Sequence, residues 1–276
     1  HKANKKLAKQ KAKEAPESAE TTETTSAEPE TEKRIFVLDF DGDIRANAVE
    51  NMREEISAIL TVANSNDEVL IRLESPGGVV HGYGLAASQL QRIKDAEIPL
   101  VACVDKVAAS GGYMMACVAN KIVAAPFSII GSIGVVAQLP NFHRLLKKND
   151  IDFEQHTAGD YKRTVTMFGE NTDADRAKFK QELEDTHGLF KDFVSNNRPD
   201  LDIDKVATGE HWHGVQAIEL GLVDELRTSD DYLLAAHKEH AIFHVKHVAK
   251  KTLGQKFGMA AQGTVDKLLT KLPING

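Results

Sequence analysis

The sequence predicts an α/β fold built on a parallel sheet with crossover helices. Two observations carry that prediction. Short apolar runs rich in β-branched residues recur at 35–38, 69–73, 99–104 and 121–125, each the length of a buried strand. Between them stand stretches with helical spacing: Val49, Met52, Ile56, Ile59 and Leu60, then Leu85 to Ile93, then Tyr113, Met114, Cys117 and Val118. A β-α-β-α alternation of this kind joins parallel strands through helices.

Taken in order, the elements divide the chain into three parts. Residues 1–34 hold a lysine block from Lys2 to Lys13, then an acidic block from Glu14 to Glu32, with one leucine and no aromatic residue before Phe36. Such a segment buries too little to offset its ordering entropy, so a disordered tether is expected. The chain opens on His1 rather than Met, and a preceding membrane anchor is expected, with the lysines touching anionic lipid beside it. Residues 35–228 carry the strand and helix signals of one folded domain. Residues 229–276 begin with a short helix around Leu233, Leu234 and Ala236. They continue with Lys246, Lys250, Lys251, Lys256, Lys267 and Lys271 among Ile242, Val245, Val248, Leu253 and Phe257. This reads as a helical, basic amphipathic extension able to lie on an anionic membrane or a partner.

Within the middle part, Ile35–Leu38 is the first strand. Asn47 with Glu50 three residues on reads as a capping box for the first helix. Val69–Leu73 is the second strand and runs into Ser75-Pro76-Gly77-Gly78, whose N–H groups can face a ligand. Phe142–Lys148 is helical, Ile151–His156 reads as a strand, and 157–171 is a polar loop carrying Tyr161, Lys162 and Arg163. Thr172 caps a long helix with Phe179, Leu183, Phe190 and Val194 on one stripe, and Pro199 ends it. Residues 215–226 read as a short helix, a Gly221 C-cap and a strand.

Composition narrows the function. A net charge of −7 gives no reason to expect nucleic acid. Cys103 and Cys117 lie in an apolar stretch and read as buried thiols. No run of about 18 apolar residues offers a membrane span. His211 and His213 stand as a pair without a third ligand at suitable spacing, so no metal is expected.

Ser110 is the candidate nucleophile. It follows a buried strand and precedes Gly111, Gly112 and a packed helix, so it stands where free N–H groups gather at a helix start. Negative charge developing on an attacked carbonyl needs such donors. The simpler reading is that Ser110 only caps the helix. A second enzymatic reading comes from Asp39, Asp41 and Asp43 in DFDGD, which resembles the nucleophile strand of haloacid-dehalogenase-type phosphatases. There Asp43 departs from the expected Thr or Val, and the simpler reading is a polar turn.

The segments RLESPGG, DKVAASGGYMMA, GSIGVV, AGDYKR and GEHWHG with AIELGLVDEL, in this order, resemble the signal peptide peptidase family, from about Ile35 to Thr228. The resemblance implies the Clp-protease/crotonase-like spiral of ββα units. It implies a serine endopeptidase with a Ser-Lys dyad and no cofactor, acting on peptides or membrane-derived segments. Ser110 matches the nucleophile, Lys162 the general base and Ser132 the serine that orients the lysine. Gly78 and Gly111 match the oxyanion donors. Val79 and Val80 after the glycine pair leave the local loop shape open. The resemblance also implies a closed homo-oligomeric ring, an octamer among the possible sizes. In it the Lys162 of one subunit meets the Ser110 of the next. An inner-membrane protein with a periplasmic catalytic part is implied by analogy, although a basic block after a membrane span favours the cytoplasmic face. The crotonase side of the superfamily offers another reading, the stabilisation of acyl-coenzyme A enolates by the same glycine-lined hole.

Overall fold

In the computed structural model, which describes residues 33–248, the apolar runs form a six-stranded sheet. Strand β1 (Arg34–Asp41) pairs with β2 (Glu68–Glu74), β2 with β3 (Leu100–Val104), and β3 with β5 (Lys121–Ala124). The edges are β8 (Glu225–Leu226) and β9 (Ala241–His244), giving the order β8-β5-β3-β2-β1-β9 with every pair parallel. The reason is the sequence between the strands. Helix α1 (Val49–Leu60) buries Val49, Met52, Ile56 and Ile59, and helix α2 (Val80–Asp95) buries Tyr83, Ala86, Ala87, Leu90 and Ile93. Each helix returns the chain to the end of the sheet where its strands begin, which makes the next strand parallel. All five residues of β3 are buried, as a strand covered on both faces requires. The second face, with Ile35, Val37, Leu70, Val101, Cys103 and Val123, is closed by Tyr232, Leu233 and Ala236 of helix α8 (Ser229–Ala236) and by Ile242.

A smaller sheet positions the site. It contains β4 (Val107–Ala109), β6 (Ile129–Gly131) and β7 (His211–His213); β4 and β6 are parallel and β7 is antiparallel to β6. Ser75, just past β2, bridges to Ala108 of β4. Three successive strands of the large sheet therefore turn into the small one: β2 at Ser75, β3 at β4 and β5 at β6. The first two turns are followed by α2 and by helix α3 (Gly111–Ala116). This is the repeated ββα unit of the Clp-protease/crotonase-like architecture.

After β6 the chain leaves the body. Helix α4 (His143–Lys148) has no buried residue. Residues 136–171 form an arm that bonds to itself: Phe142 N–H donates to Met167 O at 2.7 Å, and the Asn141 amide donates to Thr166 O and Gly169 O. Phe142 and Phe153 both pack on Phe168, with ring centroids 6.1 and 5.9 Å apart. The chain rejoins the body through helix α5 (Asp173–Asn197). As expected, Thr172 and Asp175 form a reciprocal capping box at its start, and Pro199 follows its end. Of the predicted stripe, Phe190 and Val194 are buried, while Phe179 and Leu183 are half-buried. The short helices α6 (Ile203–Val206) and α7 (Gly214–Ala217) frame β7.

Three expectations are corrected. Ile151–His156 forms no strand; it is exposed and has no ladder partner among the described residues. Its alternation of apolar and polar residues suits a strand, but a strand needs an edge to bond to. Asn47 does not cap α1, whose N-cap is Ala48 without a side-chain bond. Asp43 captures Asn47 instead, accepting from its backbone N–H at 2.9 Å and its side-chain amide at 2.7 Å. The extension from 229 is not helical throughout, because Ala241–His244 is β9. Phe243 stacks on Phe36, and Val245 N–H donates to Val37 O. Four residues in parallel register with β1, Arg34 to Val37, pair this segment along the sheet edge, where it satisfies backbone groups that β1 would otherwise leave unpaired. The expected tether and the lysine-rich tail beyond Val248 lie outside the described residues.

Candidate active site

Ser110 occupies the one-residue corner between β4 and α3. Its backbone has φ 51° and ψ −116°, a conformation that costs a non-glycine residue free energy and is found where function demands it. Two bonds hold it there. Its N–H donates to Gly131 O at 2.8 Å, and its carbonyl accepts Met114 N–H at 2.9 Å, closing the first turn of α3. The side chain caps nothing, which removes the simple capping role. A strained strand-to-helix turn that presents an uncommitted hydroxyl is the arrangement of a nucleophile elbow.

The glycine loop lies directly against this corner. Gly77 has φ +89°, and a β-carbon there would stand 2.8 Å from Ala109 O, Gly111 N and Ser110 Cβ. Only glycine allows both that backbone angle and that approach. Gly77 N–H donates to Ser75 Oγ, and Val79 N–H donates to Ile44 O. Between them, Gly78 N–H has no acceptor among the described residues. Neither has Gly111 N–H, the first of the helix donors that lack an intrahelical partner. Both residues line the same cleft as Ser110.

Ser132 also has positive φ, at 52°, and its N–H donates to Glu210 O at 2.7 Å. Because Ser110 is bonded to Gly131, the two strained serines sit on adjoining turns. Ser110, Gly78, Gly111 and Ser132 all line one cleft of about 1000 Å³. Its far wall is apolar: Met114, Leu189, Phe190 and Phe193. Lys162 is not brought to this cleft. It is exposed in the arm, where Tyr161 beside it stacks under the Lys178 ammonium at 5.1 Å.

The cysteines and the DFDGD carboxylates are likewise explained by their surroundings. Burial pushes the Cys103 and Cys117 thiols up to about 12, so neither forms a thiolate at neutral pH. Asp39 is bonded to Arg72 at 2.7 Å and to His244 at 2.8 Å, and Asp43 to Asn47. These carboxylates brace the sheet edge and the β1–α1 turn, and are not arranged as a phosphatase nucleophile and its partner.

Two residues that line the cleft, Tyr83 and His187, and the buried Ser75 bonded to Tyr83 escaped the sequence reading as site residues. Ser75 and Tyr83 are fully buried, with their hydroxyls 2.6 Å apart. His187 lines the cleft and bonds Ile133 O at 3.3 Å. A signal existed for the last: His187 falls between Leu183 and Phe190 on the apolar stripe of α5. Tyr83 gave none, since a tyrosine among apolar helix positions reads as core.

With this geometry in view, comparison with known proteins is decisive about kinship. Residues 92–242 match the model described as Peptidase family S49, and residues 1–90 match Peptidase family S49 N-terminal. A probable protease SohB of Haemophilus influenzae is 64% identical over 85% of this chain, which spans 67% of that protein. A probable protease SohB of Buchnera aphidicola subsp. Acyrthosiphon pisum is 58% identical over 87% of this chain and 71% of its own length. Among solved structures, a membrane-bound stomatin-specific protease in complex with a substrate peptide aligns over 84% of this chain and 99% of its own at 13% identity, with a TM-score of 0.48. The phosphatase and acyl-coenzyme A readings give way here: the chain belongs to peptidase family S49, as a peptidase of the SohB type.

Proposed function

We propose that this peptidase is a serine endopeptidase with Ser110 as nucleophile and Lys162 of a neighbouring subunit as general base. The observation that carries the reading is the strained Ser110 corner, whose uncommitted hydroxyl shares one cleft with Gly78 and Gly111. Ser110 Oγ attacks the scissile carbonyl carbon and passes its proton to the neutral Lys162 amine. The oxyanion is held by Gly78 N–H and Gly111 N–H. As the tetrahedral intermediate collapses, the C–N bond breaks and the leaving amine takes the proton from Lys162. Water then attacks the acyl-serine with Lys162 again as base. Ser132 orients the lysine by a hydrogen bond. Peptides with apolar side chains suit the Met114, Phe190 and Phe193 wall, and membrane-released segments at the bacterial inner membrane are such peptides.

The dyad needs assembly because one subunit holds Lys162 on an exposed arm, away from its own cleft. A solvated ammonium is a poor base, and burial against apolar surface is what frees a lysine of its proton. Val136, Leu139, Phe142 and Leu145 on the arm are exposed, and a neighbour in a closed homo-oligomeric ring would cover them and receive the loop. Mixing tests this directly. Ser110→Ala and Lys162→Ala subunits, each inactive alone, should regain part of the peptidase activity when exchanged into common rings. Mixed rings of verified composition that stay inactive would put the dyad within one chain. An active-serine fluorophosphonate that labels the wild type but not Ser110→Ala identifies the nucleophile independently of assembly.

A further inference from the structure

The Ser75 and Tyr83 side chains form a directed hydrogen-bond relay beneath the two candidate oxyanion donors. Ser75 is wholly buried, and its backbone is already engaged: its N–H donates to Val107 O at 2.8 Å and its carbonyl accepts Ala109 N–H at 3.0 Å. That pairing ties it to the strand leading into Ser110. Its hydroxyl oxygen accepts Gly77 N–H at 3.1 Å and lies 2.6 Å from the Tyr83 oxygen. The Tyr83 hydroxyl donates to Asp43 O at 2.8 Å. A phenol has one proton, and here it is committed to Asp43, so the Ser75 hydroxyl must donate to Tyr83. The relay therefore runs from Gly77 N–H through Ser75 and Tyr83 to the Asp43 carbonyl.

The ring of Tyr83 serves the second donor. A β-carbon on Gly111 would stand 2.3 Å from Tyr83 Cγ and 2.8 Å from its Cβ, so the Gly111 backbone packs directly against the root of the Tyr83 side chain. One side chain thus reaches the Gly77-Gly78 loop by way of Ser75 and packs directly against Gly111.

We propose that Ser75 and Tyr83 are positioning residues for the oxyanion hole, setting the spacing of Gly78 N–H and Gly111 N–H around the tetrahedral intermediate. This rests on the reading of Ser110 as nucleophile. Burial raises the Tyr83 pKa, with the Ser75 bond opposing it only in part, so the phenol keeps the proton that the relay needs. Removing an oxyanion donor outright costs about 10²–10³ in kcat. Loosening one through a lost bond of ordinary strength should cost about tenfold.

The test is Tyr83→Phe in the full chain, which keeps the ring under Gly111 and removes the relay. Three quantities are measured: kcat and KM on a peptide substrate, and the Ki of a peptide aldehyde. The hemiacetal that the aldehyde forms with Ser110 puts an oxygen where the oxyanion stands. Expected are a kcat about tenfold lower, an unchanged KM, and an aldehyde Ki raised by about the same factor. Wild-type kcat and Ki, or a fall in kcat with an unchanged Ki, would overturn the proposal, because a merely structural bond does not discriminate the hemiacetal. Should Tyr83→Phe not fold, Ser75→Ala is measured in the same way, with the same results expected and the same results overturning. A wild-type chain that no active-serine probe labels at Ser110 would overturn the reading of the site, and the positioning role with it. A labelled, active wild type with an indifferent Tyr83→Phe overturns the positioning role alone.

Discussion

The Ser110 corner and the Lys162 arm are built by opposite means. The corner is locked from every side: β4 on one flank, α3 on the other, Gly131 bonded to its N–H and the glycine loop pressed against its β-carbon. Among the described residues, the arm's hydrogen bonds close on itself; it packs three phenylalanines into a small cluster and exposes the residue that it carries. A nucleophile with its oxyanion donors gains from rigidity, since the donors must already stand where charge will develop. On the proposed mechanism, a base delivered from a neighbour gains from a projecting carrier. The costly backbone strain lies in the body, and the proposed assembly dependence falls to the arm.

The largest effect expected from breaking this division is at Lys162. Lys162→Ala should lower kcat/KM by at least about 10³, as loss of a nucleophile's base does, with the thermal midpoint of the body unchanged. A shifted midpoint, read by calorimetry, would tie the arm into the body. Gly77→Ala strikes the other region and should do both kinds of damage. Forcing an alanine to φ +89° costs about 1–2 kcal/mol, and the displaced loop should cost about 100-fold in kcat. An active, stable Gly77→Ala would mean that the corner is less rigid than its contacts imply. Ser132→Ala tests the seam between the regions. Loss of one orienting hydrogen bond of about 0.5–1.5 kcal/mol is roughly threefold to tenfold in rate, and a loss as complete as that of Lys162→Ala would give Ser132 another role.

The smallest effect on activity is expected where α5 is anchored to the body. Arg198 makes two bonds to Asp224, at 2.7 and 2.8 Å, and Asp224 also accepts Ile122 N–H. Burial alone would raise the Asp224 pKa, but the Arg198 bond and the Ile122 N–H outweigh it and hold the carboxyl below its ordinary range. The sign follows. A depressed folded pKa contributes stability that is fully present above the unfolded value, about 3.9, and is lost as pH falls through the folded value. Asp224→Asn should cost about 1–2 kcal/mol at pH 7, given that the pair is partly exposed, and peptidase activity should stay near wild type. Denaturant titrations of the two proteins should converge as pH drops below about 4. A difference that persists undiminished at pH 2 would show that the charge is not the source.

Much of this molecule was legible because its signals are local. The runs at 69–73 and 99–104 became buried parallel strands, Thr172 capped its helix, and Ser110 fell at a strand-to-helix corner, since each depends on residues close in sequence. The motifs around Ser110, Ser132 and the glycine pair likewise named the members of the cleft. What failed were the places where a remote partner decides. Ile151–His156 has the alternation of a strand but no edge to join. Asn47 has the chemistry of a cap but is captured by Asp43. Ala241–His244 looked like the start of a basic helix and instead completes the sheet beside β1, because an open edge of unpaired backbone groups is a stronger attraction than helix propensity over four residues. The Ser75–Tyr83 relay belongs to the same class. Sequence alone named the candidate residues for peptide hydrolysis; only the tertiary structure decided which of them share one cleft, because hydrogen bonds and packing act over ångströms and are indifferent to how many residues lie between.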